Sequence, residues 1–129
     1  MNKILKFHFG TIKIFDDYLI ANISEGITIT KAINADLEQI ALKYFPIKPF
    51  VYITHRIHSY AVDPNVYIRT SLIKNLAGFA VVSKNQAALN NADIEKLFLN
   101  NKPFETFHNI EDAIKWTKLI LNSDYSEEY

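Results

Sequence analysis

The 129-residue chain has no cysteine, only three glycines and no excess of charge of either sign. Without cysteine it cannot form disulfides, present a thiolate, or build zinc or iron–sulfur sites on sulfur ligands. Gly10, Gly26 and Gly78 are too scattered for a glycine-rich phosphate loop. Fourteen Lys plus Arg are balanced by fourteen Asp plus Glu, which argues against a general nucleic-acid binder. No run approaches the ~18 uncharged apolar residues that a membrane helix needs. The opening MNKILKFHFG has its apolar stretch broken by Lys6 and His8, so no signal peptide is expected and the expected location is cytoplasmic.

What is present belongs to a globular domain: 49% hydrophobic and 22% charged residues. A chain of this length buries about two-thirds of its unfolded surface, enough for one core without staples. No internal repeat or linker is visible.

Residues 3–9 alternate as a strand, with Leu5, Phe7 and Phe9 on one face and Lys6 and His8 on the other. Thr11–Phe15 continues as strand, Asp16-Asp17 is a turn candidate, and Tyr18–Ile23 returns, giving an antiparallel hairpin. Ile33, Leu37, Ile40, Ala41 and Tyr44 then fall at helical spacing, with Thr30 as N-cap and Pro46 as stop. Phe50–Thr54 reads as a strand covered on both faces. Asp63-Pro64 opens a helix whose buried side is Ile68, Leu72, Ile73 and Leu76. Gly78–Val82 is a second buried strand. Ser83-Lys-Asn-Gln86 matches a capping box for a helix with Ala87, Ile94, Leu97 and Phe98 inward. Pro103–Phe107 is a short strand, and Asn109 caps a last helix with Ile110, Ala113, Ile114, Thr117, Ile120 and Leu121 inward. The domain is expected to span 1–122, followed by a frayed acidic tail at 123–129. Strands alternating with helices predict a single α/β domain with a mixed, mostly parallel sheet and about four helices.

Three stretches, FGTIKIFDDYLIANISEG, GFAVVSKN and FETFHNIEDAIKWTKLIL, resemble the SpoIIAA-like branch of the STAS family of small bacterial domains, the last with Ala113 and Trp116 spaced as there. The resemblance implies a sandwich of that type and a non-enzymatic regulatory or ligand-binding role. Classical members switch partner by phosphorylation of a serine in an Asp-Ser-x-Gly-like loop. The comparable loop here, THRIHSYAVDPN, holds Ser59 but has no Asp-Ser pair and no glycine. Ser59 is therefore the nearest phosphoacceptor candidate, and it stands four residues short of the cap. The fold also resembles CRAL-TRIO lipid-binding domains, which implies the alternative of a carrier or sensor for an apolar molecule in a cavity.

Ligands of open α/β sheets gather beyond the carboxyl ends of the strands. There the sequence places His55, Arg56, His58, Ser59, Tyr60 and Asp63, a set whose imidazoles and guanidinium suit an anionic group of a partner or small ligand. The competing reading is a solvated loop whose Ser, Tyr and Asp make turn and cap hydrogen bonds. His55-x-x-His58 has helix spacing for a metal but falls on a loop with no Glu-x-x-His partner, so no metal or other cofactor is expected. No nucleophile elbow is present, and Asp16, Asp17, Glu111 and Asp112 sit at a turn and a helix start, so no catalytic residue is assigned. The first strand would leave an edge needing cover, which a homodimer would supply.

Overall fold

The computed structural model describes residues 2–57, 61–63, 65–99 and 102–126. Three strands open it: β1 (Lys3–Phe7), β2 (Gly10–Ile14) and β3 (Tyr18–Ile23). They run antiparallel, with Phe7 opposite Gly10 and Ile14 opposite Leu19. Asp16-Asp17 forms the expected turn, closed by Phe15 N donating to Tyr18 O at 2.9 Å. The first strand, however, ends at Phe7 rather than residue 9, because the chain turns at His8-Phe9. The expected hairpin is thus a three-stranded meander. The turn also separates two phenylalanines assigned to one face: Phe9 is fully buried and Phe7 is exposed. Gly10 follows that turn with φ +152°, where a Cβ would lie 2.3 Å from Asn22 O, so only glycine lets β2 approach β3 this closely.

Among the described residues the remaining elements are β4 (Thr28–Ile29), α1 (Lys31–Tyr44), β5 (Phe50–His55), β6 (Ala61–Val62), α2 (Asn65–Thr70), β7 (Leu76–Val82), α3 (Gln86–Lys96), a 3-10 turn (Leu97–Leu99), β8 (Phe104–Phe107) and α4 (Ile110–Ser126). Six strands form one mixed sheet in the order β1-β2-β3-β5-β7-β8, parallel from β3 onward. β4 and β6 form a separate two-residue parallel pair that periodicity did not foresee. In β5 the period of two is plain: Phe50, Tyr52 and Thr54 face one side of the sheet, Val51 and Ile53 the other. The first side packs under α1, α2 and α3 through Leu37, Ile40, Val66, Tyr67, Leu89 and Ala92. Among the described residues the second side packs under α4, through Ala113, Ile114 and Trp116.

Helix starts follow their caps. Thr30 caps α1, its hydroxyl accepting from Ile33 N at 3.4 Å, and Asn109 Oδ1 accepts from Asp112 N at 2.9 Å. α3 is capped by Asn85, whose Oδ1 takes Ala87 N and Ala88 N, and not by Ser83. Ser83 is buried and accepts instead from Asn85 N. The buried side of the helix differs as well: Ala87, Ile94 and Leu97 are exposed, while Leu89 and Ala92 are buried. α2 is likewise shorter than expected. Val66, Tyr67 and Thr70 turn inward, Ile68 and Leu72 are exposed, and Leu76 belongs to β7. Asn34, expected off the apolar stripe of α1, is buried. α4 continues to Ser126, past the expected boundary at 122, and residues 127–129 lie outside the described residues.

Candidate functional site at the carboxyl end of the central strands

β5 delivers His55 and Arg56 beyond the sheet, and its alternation sends them to opposite faces. Arg56 N donates to Val82 O at 2.8 Å, extending the β5–β7 ladder by one step, and Ser83 Oγ donates to Arg56 O at 3.4 Å. The guanidinium turns under the helices and meets Glu95 of α3. Nη1 donates to Oε2 at 2.7 Å and Nη2 to Oε1, a two-pronged ion pair with side chains only 10% and 14% exposed. Tyr67 of α2 completes the group, its hydroxyl donating to Glu95 Oε1 and accepting from Arg56 Nη2 at 3.4 Å. Charge is thus cancelled where it would be costly to bury alone. One strand end and two helices are tied at a point.

His55 stands half-buried on the α4 side. Burial is the main cause holding its imidazole below the ordinary 6.5, and Lys13 and Lys84 act in the same direction while Glu111 opposes them. His55 and Arg56 therefore cannot grip one ligand together. Asp63 caps: its Oδ1 accepts from Asn65 N at 3.0 Å, and its own N–H donates to Ile29 O at 3.1 Å. The other three candidates, His58, Ser59 and Tyr60, lie outside the described residues, as does Pro64.

Glu95 and Tyr67 were not singled out from the sequence. They stand 39 and 11 residues from Arg56, and an isolated glutamate on a polar helix gives no signal of its own. The one clue was Arg56 itself, an arginine at the end of a buried strand that requires a counter-charge.

Beside this group, between α1, α2 and the sheet, lies a cavity of about 40 Å³ lined by Leu37, Phe50, Tyr52, Thr54, Tyr67 and Phe79, among others. It has room for a few water molecules, whereas pockets for drug-sized molecules run to roughly 300–1,000 Å³. Glu38 spans the two helices at its rim, accepting from Arg69 Nε at 3.1 Å and from Asn34 Nδ2 at 3.1 Å. No helix among the described residues is long and apolar enough to cross a membrane.

An antiparallel meander continued by parallel strands, with three helices over one face and one over the other, is the SpoIIAA-like α/β fold, and the chain has it. A solved structure of the same fold is that of an uncharacterised DUF3478-family protein from Shewanella loihica PV-4. It is similar to this chain with a TM-score of 0.59 at 12% identity, over 91% of this chain and 92% of the other. No family model and no curated protein matches the sequence.

Proposed function

We propose that this chain is a non-catalytic STAS-type regulatory or interaction domain that binds a protein partner or small ligand through residues 55–63 and the start of α2. The observation that carries this reading is the anchoring of that segment at both ends. Arg56 is clamped to Glu95 and Tyr67 on one side, and β6 is paired to β4 on the other. A loop held on a rigid scaffold presents its side chains to a partner at low entropic cost. Arg56 acts as the clamp, Asp63 as the cap of α2, and His58, Ser59 and Tyr60 supply the contacts. A lipid chain does not fit the cavity beside Tyr67, which supports interaction over a carrier role at that place.

The test is affinity capture with the full chain against a His58→Ala/Ser59→Ala/Tyr60→Ala variant, which spares the clamp and the cap. The expected result is a partner or ligand bound by the parent and lost at least tenfold in the variant, with an unchanged melting temperature. Equal retention by both proteins would overturn the reading. Ser59→Asp separates a phospho-switch from simple contact: only a switch alters partner choice without abolishing every interaction.

A further inference from the structure

We infer that the outer edge of β1 is a docking surface for a second copy of this chain, the two β1 strands pairing antiparallel about a twofold axis at Leu5. The hydrogen-bond pattern of the meander identifies the groups involved. Phe9 O accepts from Ser24 N and Phe15 N donates to Tyr18 O, so the odd-numbered residues of β2 bond β3. Gly10, Ile12 and Ile14 therefore bond β1, at Phe7, Leu5 and Lys3. That leaves the N–H and C=O of Ile4 and Lys6 pointing away from the sheet. Among the described residues, β1 pairs with β2 alone.

The opposite edge of the sheet is blunted, and the contrast is informative. β8 follows Pro103, and its outward Thr106 N–H is taken by the carboxylate of Glu105 at 3.2 Å. Among the described residues no proline and no carboxylate closes the outward groups of β1, which is guarded only by the charges of Lys3 and Lys6. Its Ile4 is 60% exposed and its Phe7 38% exposed, one on each face of the strand.

An axis at Leu5 sets Ile4 opposite Lys6 of the second copy, and these are the residues whose backbone groups point outward, so each such pair can exchange two hydrogen bonds. On one face Leu5 meets Leu5, and Lys3, whose ammonium lies over the Tyr44 ring of its own chain, comes opposite Phe7 of the other copy. On the other face Ile4 meets the aliphatic stem of Lys6. An axis at Lys6 would set lysine against lysine, and the Leu5 register alone pairs the strand over its full length. The contact is small, and the two Lys6 side chains lie diagonally across it. The dimer is therefore weak, and salt that screens their repulsion strengthens it.

Sedimentation velocity over a wide concentration range tests this. The parent chain is expected to pass from monomer to dimer as concentration rises, at lower concentration in high salt. Ile4→Pro removes an outward N–H while leaving the bonds to β2, and is expected to be monomeric throughout with an unchanged circular dichroism spectrum. Ile4→Lys sets lysine against lysine and is expected to be monomeric in low salt, whether or not the proline is tolerated. Lys6→Gln is expected to dimerise at a concentration about threefold lower than the parent. A parent that stays monomeric at the highest concentration, or a dimer that persists in both Ile4 variants, would overturn the proposal.

Discussion

Replacing Glu95 takes from Arg56 the carboxylate that neutralises a guanidinium only 10% exposed. Breaking such a pair from one side costs about 3 kcal/mol, so Glu95→Gln is expected to lower the urea midpoint with an unchanged slope. Tyr67→Phe removes one hydroxyl from the same group and is expected to cost about 1 kcal/mol. A double-mutant cycle between Glu95 and Tyr67 should show coupling, because the Tyr67 hydroxyl donates to the same Glu95 oxygen that Arg56 Nη2 reaches. His55 gives a pH signature of opposite origin. Its folded pKa lies below the 6.5 of the free side chain, so below 6.5 the unfolded chain binds more protons at this site than the native one. The stability it contributes is present above pH 6.5 and is lost as pH falls through the depressed folded value. His55→Gln is expected to flatten the fall of melting temperature over that window. An unchanged profile would assign the pH dependence to other groups. That His55 and Arg56 stand at the carboxyl end of β5 was legible in the strand pattern. The partners of Arg56 were not, because an ion pair across 39 residues leaves no local pattern.

At the scale of elements, local chemistry was legible wherever it acts within a few residues. Asp16-Asp17 made its turn, and Thr30 and Asn109 capped their helices. Tertiary packing decided the rest. Ser83 and Asn85 both suit an N-cap, and the choice fell to Asn85 because Ser83 is occupied at the buried end of β7. α2 has six residues, too few for a moment to show, and its inward side is set by Val66, Tyr67 and Thr70 meeting the sheet. The two-residue strands β4 and β6 carry no periodicity at all. One element contact can be probed directly. Trp116 of α4 lies on Gly78 of β7, where an added Cβ would stand 3.0 Å from the indole. Gly78→Ala is expected to cost about 1–2 kcal/mol and to shift the tryptophan emission, since the ring moves more easily than the strand. An unaltered spectrum would mean that the ring does not rest there in solution.

At the scale of the molecule, stability is unevenly distributed. β5 and β7 are interior strands of the sheet with both faces covered, whereas β1 is exposed along most of its length. Hydrogen exchange is expected to rank them accordingly, slowest at Val51–Thr54 and Phe79–Val82. At low concentration the fastest strand amides should be those of Ile4 and Lys6. Uniform protection across the sheet would contradict that order.

The coverage of the two faces also bears on the order in which the protein is made. Three helices shield one face as they arise between the strands, but the other face depends on α4, the last element in chain order. Until α4 is synthesised, Ile20, Val51, Ile53, Ala80 and Val82 lack the cover that Ala113, Ile114 and Trp116 give them. A nascent chain thus carries an apolar surface through most of its translation, and chains stopped before Ile110 are expected to collect in the insoluble fraction. Supplying α4 separately as a peptide should return part of that material to solution.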